Sequence, residues 1–305
     1  MAKNNKSNVI KRSVSSIIFD TSNIIFMVIL GFIMLYPFYN TIIVSFNNAQ
    51  DTIRGPLTFW PRVFSTFNYE TVFRNPHLQH AAFISVARTV LGTVINVILS
   101  ALLAYVLSFK DFVLRRFLNT FLVLTMYVSA GLIPTFFLYR SLGLVNSFWV
   151  YILPSMVGAF NVIVIRTYIR GLPDSFAEAA KIDGAGELRI FVQIIFPLCK
   201  PVLATIALWV AVGQWNSWFD TYIFAPGRQE LSTLQYEMMK ILASAMVQPT
   251  RQPDFLDAAM RGTTMVTPNS LRAAITVVAT LPIIVVYPFL QKYFIKGLHL
   301  GGVKG

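Results

Sequence analysis

Six stretches of this chain are apolar for long enough to cross about 30 Å of hydrocarbon as helices. They cover roughly residues 24–46, 84–107, 117–139, 148–168, 198–219 and 273–295. Polar segments separate them, so the pattern predicts an all-α polytopic membrane protein with six transmembrane helices. Pro37 is the candidate kink of the first span. Residues 1–20 are polar and basic, with Lys3, Lys6, Lys11 and Arg12, in the manner of a signal-peptide n-region. The apolar run behind them is too long for an h-region and no A-x-A site follows it, so the first span is expected to be retained. The expected organisation is a short N-terminal segment, 1–20, and one membrane domain over 21–305.

Within the second span, Gly92, Asn96, Ser100 and Ala104 recur at strict i+4 spacing. Helices in lipid have no hydrophobic drive to associate, and a small, weakly polar stripe lets them pack closely. The stripe therefore predicts a packing seam, with Asn96 able to hydrogen-bond across it. Two longer polar segments, 47–82 and 221–272, carry aromatics and prolines and predict ordered surfaces on the opposite side from the termini.

The segment between the fourth and fifth apolar runs, 170–197, is built differently. Ser175-Phe176-Ala177-Glu178 reads as a capping box that opens a short helix. Gly184 stands where a left-handed residue would stop it. A second helix is expected over 186–196, with Leu188, Phe191, Val192 and Ile195 forming one apolar face at i, i+3, i+4 and i+7. Pro197 is expected to end it. This is a helix–Gly–helix elbow lying against a membrane. Its alanines, Ala177, Ala179 and Ala180, permit close approach of another protein, and Glu178 and Asp183 supply charge.

Composition and charge sharpen this picture. Of 305 residues, 55% are hydrophobic and only 12% charged, against about 25% charged in soluble domains. The net charge of +12 comes from basic residues gathered near span ends, not from a nucleic-acid surface. Lys110, Arg115, Arg116, Arg166, Arg170, Lys181, Arg189, Lys200, Lys292, Lys296 and Lys304 crowd the side of the N-terminus. Such an excess marks the cytoplasmic face, so both termini and the elbow are expected inside. The single cysteine, Cys199, excludes an internal disulfide and reads as an inert filler. His77 and His80 lack a third ligand nearby in sequence, so no metal site is expected.

Catalysis has no support in the sequence. There is no P-loop glycine–lysine pattern to cradle nucleotide phosphates, and no paired-carboxylate or Ser/His/Asp set on the polar parts. A gradient-driven transporter usually needs ionisable groups at mid-membrane, whereas Asp20, Asp111 and Asp220 border spans. The stretch 214–222 does carry candidate binding chemistry, in Gln214, Trp215, Asn216, Trp218, Asp220 and Tyr222. Amides and a carboxylate can bond sugar hydroxyls, and an indole face can receive the C–H side of a pyranose. Gln214 and Asn216 point to a cavity. Trp218 and Tyr222 fit an interfacial aromatic belt equally well.

The elbow resembles the EAA loop of ABC importer permeases: Glu178-Ala179-Ala180, three residues, Gly184, nine residues, then Ile194 with Pro197. The only departure is Phe196 where the pattern prefers Leu. From about residue 36 onward the chain resembles the carbohydrate-uptake group of these permeases, as the maltose-type second permease. Gly131-Leu132-Ile133-Pro134, 142–147 and 301–305 support this. The run 213–219 is most similar to the branch serving polysaccharide-derived oligosaccharides. The resemblance implies a type I importer permease of MetI-like architecture in a bacterial plasma membrane. Implied partners are a homologous second permease, two ABC ATPase subunits that bind ATP and Mg, an extracytoplasmic solute-binding lipoprotein and an oligosaccharide cargo. No cofactor is implied for this chain. ATPase coupling would fall to Ser175, Glu178, Ala179, Ala180, Asp183, Gly184, Ile194 and Pro197, and the spans flanking the loop would add Phe160 and Asn161 to the cargo path. A permease for a non-sugar solute is the alternative, with a gradient-driven transporter behind it.

Overall fold

The computed structural model describes residues 14–247 and 266–299. The basic residues before Val14, Pro249, Pro253 and the closing 301–305 lie outside the described residues. Among those described there is no β-strand, only one antiparallel bridge, Asn47 to Phe64. Three helices are long and apolar enough to cross a membrane unbroken. They are α1 (Val14–Ser45), α4 (Pro76–Val106) and the first part of α14 (Pro268–His299).

The remaining apolar runs are broken rather than continuous. The fourth starts as two 3₁₀ turns, Phe148–Tyr151 and Leu153–Ser155, and turns by 44° into α7 (Ala159–Ile169). Towards the fifth, residues 187–198 meet α11 (Lys200–Asn216) at 79°. The third run divides into α5 (Arg115–Tyr127) and α6 (Leu132–Ser141). Gly131 sits between them at φ +84°, a backbone that L side chains avoid. Pro134 falls in the first turn of α6, where its missing N–H breaks no helical bond. The apolar runs are thus helical as expected, three of them as continuous helices and the others interrupted among the described residues. Hydropathy measures apolar length and is blind to such breaks.

Helix α4 is the hub. Its stripe is buried against α7 and α11: Asn96 is 4% exposed, and Ser100 and Ala104 are fully buried. A Cβ on Gly92 would stand 2.9 Å from Nε2 of Gln214, so this glycine is what lets the two helices meet. The expected interhelical role of Asn96 is also present. Its Nδ2 donates to the Ser155 carbonyl at 2.6 Å, and its Oδ1 accepts from Asn161 Nδ2 at 2.9 Å. Cys199 is buried in the core shared by α4, α7 and α11.

The segment after α1 is ordered by polar contacts. It contains α2 (Ala49–Ile53) and α3 (Phe67–Arg74). Asn68 Nδ2 donates to the carbonyls of Ser45 and Asn47, both at 2.9 Å. Asp51 accepts from Asn47 Nδ2 at 3.0 Å and from Arg62 Nε at 2.9 Å. These bonds, that of Asn47 first, hold the Asp51 carboxyl below its ordinary value of 3.8. A depressed carboxyl stabilises the fold above the unfolded value, and that contribution is lost as pH falls through the lowered one. Amide protection over 47–65 is therefore expected to persist into acid and to collapse only below the ordinary carboxylate range. In D51N the extra protection above that range should be absent. Equal acid sensitivity of parent and variant would refute the assignment.

Candidate cargo path and coupling elbow

The elbow opens with α8 (Ser175–Ile182). Asp174, not Ser175, is its cap, and no side chain bonds the first N–H groups. A capping side chain needs extended backbone at the cap, whereas Asp174 is already helical at φ −60°, ψ −26°. Ser175 is thereby drawn into the first turn and the capping box does not form. The far end is as expected. Gly184 lies at φ +77°, its N–H bonds the Lys181 carbonyl, and Ala185 N–H reaches Ala180. This is the Schellman stop.

Helix α9 (Glu187–Ile190) then passes into a π-helical turn, Phe191–Ile195, and a last short helix, α10 (Phe196–Leu198). Each π turn holds an extra residue, so a face read at 3.6-residue spacing goes out of phase. Phe191 and Ile195 are buried, but with Ile190, while Leu188 is 70% exposed and Val192 is exposed too. Pro197 does not end the helix; it lies within α10, and the chain turns at Cys199. Ala180 faces inward, whereas Glu178, Ala179, Asp183 and Gly184 are exposed. Phe176 and Ile182 stand beside them, Ile182 being 87% exposed. Ile194 is half-buried.

At the other end of α11 lies a cavity of about 440 Å³, with Arg88, Asn96, Tyr151, Ser155, Gln214 and Asp220 in its wall. Arg88 is only 2% exposed. Its Nε and Nη2 donate to Gln214 Oε1 at 3.1 and 2.9 Å. Nη1 and Nη2 grip the Asp220 carboxylate at 3.1 and 2.5 Å, and Nη1 also reaches the Ser217 carbonyl at 3.3 Å. All five guanidinium N–H groups are thereby matched. The guanidinium also lies over the Tyr151 ring, 4.4 Å from its centroid. Gln214 Nε2 donates to Ser155 Oγ at 2.8 Å.

The cavity thus gathers Gln214 and Asp220 in its wall and Asn161 one hydrogen bond behind, through Asn96. The other candidates sit apart. Trp215 is buried and donates its indole N–H to the Ala279 carbonyl of α14 at 2.8 Å. Asn216 is exposed and bonds back to Val212. Trp218 clusters with Phe219 and Tyr222. Phe160 is exposed and packs on Trp209 at 5.7 Å. Helix α11 stops at Asn216, and Ser217 is extended, so residues 214–222 do not share one helical face. Arg88 is the site residue that sequence reasoning missed. The signal was present: it extends the stripe of Gly92, Asn96, Ser100 and Ala104 by one more step of four.

The family model described as "binding-protein-dependent transport system inner membrane component" matches residues 96–300. The chain belongs to that family. The permease is 35% identical over 286 residues to a polygalacturonan/rhamnogalacturonan transport system permease protein, YtcP, of Bacillus subtilis, covering 92% of this chain and 98% of the relative. It is 29% identical over 281 residues to the arabinooligosaccharides transport system permease protein AraQ of Halalkalibacterium halodurans, covering 90% and 93%. In fold it matches a chain from the crystal structure of a bacterial ABC transporter involved in the import of the acidic polysaccharide alginate. The TM-score is 0.84 at 29% identity, over 93% of this chain and 99% of that one. The permease is a multi-pass membrane subunit of an ABC importer and is not itself the ATPase.

Proposed function

We propose that this permease carries an oligosaccharide across a bacterial plasma membrane, with both termini and the elbow cytoplasmic. A lipidated solute-binding protein delivers the cargo from outside, onto the outer segments 47–82 and 221–272. A homologous second permease completes the path, and two ABC ATPase subunits, holding ATP and Mg, drive the cycle. One observation carries this reading: a cavity lined by amides, a carboxylate, a hydroxyl and a tyrosine face stands at one end of α11, and an exposed elbow stands at the other. Hydrogen-bonding groups around an aromatic face suit a sugar. The bare apolar side chains of the elbow, set beside Glu178 and Asp183, suit a protein socket. Relatives named for galacturonan and arabinooligosaccharide transport support the cargo class.

In this mechanism ATP closes the ATPase dimer, the elbow moves with its socket, and the spans rock between inward and outward access. The permease's own residues bind, orient and transmit; no bond is made on them. Glu178 pairs with a basic group of the ATPase, and losing one member of a buried charge pair costs about 2–5 kcal/mol. In E178A, co-purification of the ATPase subunits and uptake should both fall, and in Q214A uptake alone should fall. Uptake by the intact complex should collapse with vanadate and survive an ionophore. The reverse result would refute ATP-driven import.

A further inference from the structure

Glu187 lies outside the E-A-A signature, yet its side chain hydrogen-bonds the elbow to a helix remote in sequence. It is the first residue of α9. One carboxylate oxygen, Oε1, meets Lys181 Nζ of α8 at 2.7 Å. The other, Oε2, accepts from the Tyr105 hydroxyl of α4 at 2.7 Å, across 82 residues of chain. Tyr105 is 5% exposed. Its ring lies 4.8 Å from that of Phe109 and 5.2 Å from that of Phe191, and Lys181 Nζ stands 5.7 Å from the Phe109 centroid. A single carboxylate therefore ties both arms of the elbow to the inner end of the second span.

We propose that Glu187 is a positioning residue, a clasp that passes displacement of the elbow to α4 as well as to the spans the elbow joins covalently. This rests on the reading that the elbow is driven by an ATPase. The physical reason lies in the kind of contact. Ring packing between Tyr105, Phe109 and Phe191 is non-directional and tolerates sliding. Charge-assisted hydrogen bonds fix distance and angle. Helix α4 is one unbroken rod of 31 residues. It carries Gly92 and Asn96 of the seam and Arg88 of the cavity wall, about 25 Å from Tyr105 at 1.5 Å per residue. A pull at Tyr105 is delivered to the cavity with little lost in bending. Without the clasp, α4 would meet the elbow only through surfaces able to slip.

The test uses the assembled complex and needs no cargo. Gly213 lines the cavity and a Cβ there meets nothing within 4 Å, so G213C places a reporter thiol in it. The one native cysteine, Cys199, is buried. Labelling by a membrane-impermeant maleimide, with and without ATP and vanadate, reads outward opening. In the G213C parent, nucleotide should raise the labelling rate. Adding Y105F or E187A should abolish that rise while the ATPase subunits still co-purify and hydrolyse ATP. The double variant should be no worse than either single one, because both remove the same link. K181M, which leaves the Tyr105 bond in place, should retain part of the rise. A full nucleotide-dependent rise in Y105F and E187A would overturn the clasp. So would loss of the ATPase subunits in E187A, which would place Glu187 in the docking surface. An E178A complex that keeps its ATPases and its rise would instead sink the docking reading, whatever the clasp variants do.

Discussion

Replacing Arg88 with methionine is expected to destabilise the permease by about 3–5 kcal/mol, the cost of stranding one member of a buried ion pair. The residue removed is 2% exposed and bridges α4, α11 and the segment after it. Its loss leaves the Asp220 carboxylate without a counter-charge and the Gln214 carbonyl without two donors. R88K should recover only part of the loss, since an ammonium cannot reproduce a fork that grips a carboxylate and an amide together. Pairing R88M with D220N should recover more, because removing both charges removes the stranded one. Thermal unfolding of the purified complex, followed by size-exclusion chromatography, measures this order. If R88M alone unfolded at the parental temperature, the five-donor network would not be holding these helices together.

Gly184→Val is expected to give the second large effect, and it should appear in transport more than in global stability. Gly184 lies at φ +77° with open space around its Cβ position. The penalty is therefore conformational, not steric, about 1–2 kcal/mol for a typical L residue in the left-handed region and more for a β-branched one. The chain escapes the penalty by abandoning the Schellman turn. That loses the bonds of Gly184 and Ala185 to Lys181 and Ala180 and re-aims α9 against α8. Uptake and ATPase co-purification should fall together in G184V. Asparagine tolerates the left-handed region best among residues with a side chain, so G184N should recover much of both. Equal damage from valine and asparagine would mean that the position matters for space, and the backbone argument would fail.

How far the sequence foretold these features depends on which physical signal each one leaves. Apolar length is written directly in the residues, so the helical membrane architecture was legible. Gly184 was legible because a positive φ admits few residue types. The packing seam on α4 was legible because small residues at i+4 have few other uses in lipid. Ser175 misled because the same Ser-x-x-Glu string suits either a cap or a first turn. The preceding residue's backbone decides between them, and residue identity does not encode it. The π turn at Phe191–Ile195 was invisible to a method that assumes 3.6 residues per turn. Trp215 was read with its neighbours as one polar group, although its burial against α14 depends on a helix more than fifty residues away in sequence. Arg88 escaped because a single positive charge near one end of an apolar run does not by itself show whether it faces water or a partner helix. A buried cation in lipid calls for a partner, and Asp220 at the end of another span was the carboxylate to match it with.

The saturated hydrogen bonding of Arg88 has a consequence for selectivity. With its guanidinium paired to Asp220 and all five of its donors engaged, Arg88 presents neither an unpaired charge nor a free N–H to the cavity. A cargo entering that cavity would find in Arg88 no unpaired cation with which to prefer an acidic sugar over a neutral one.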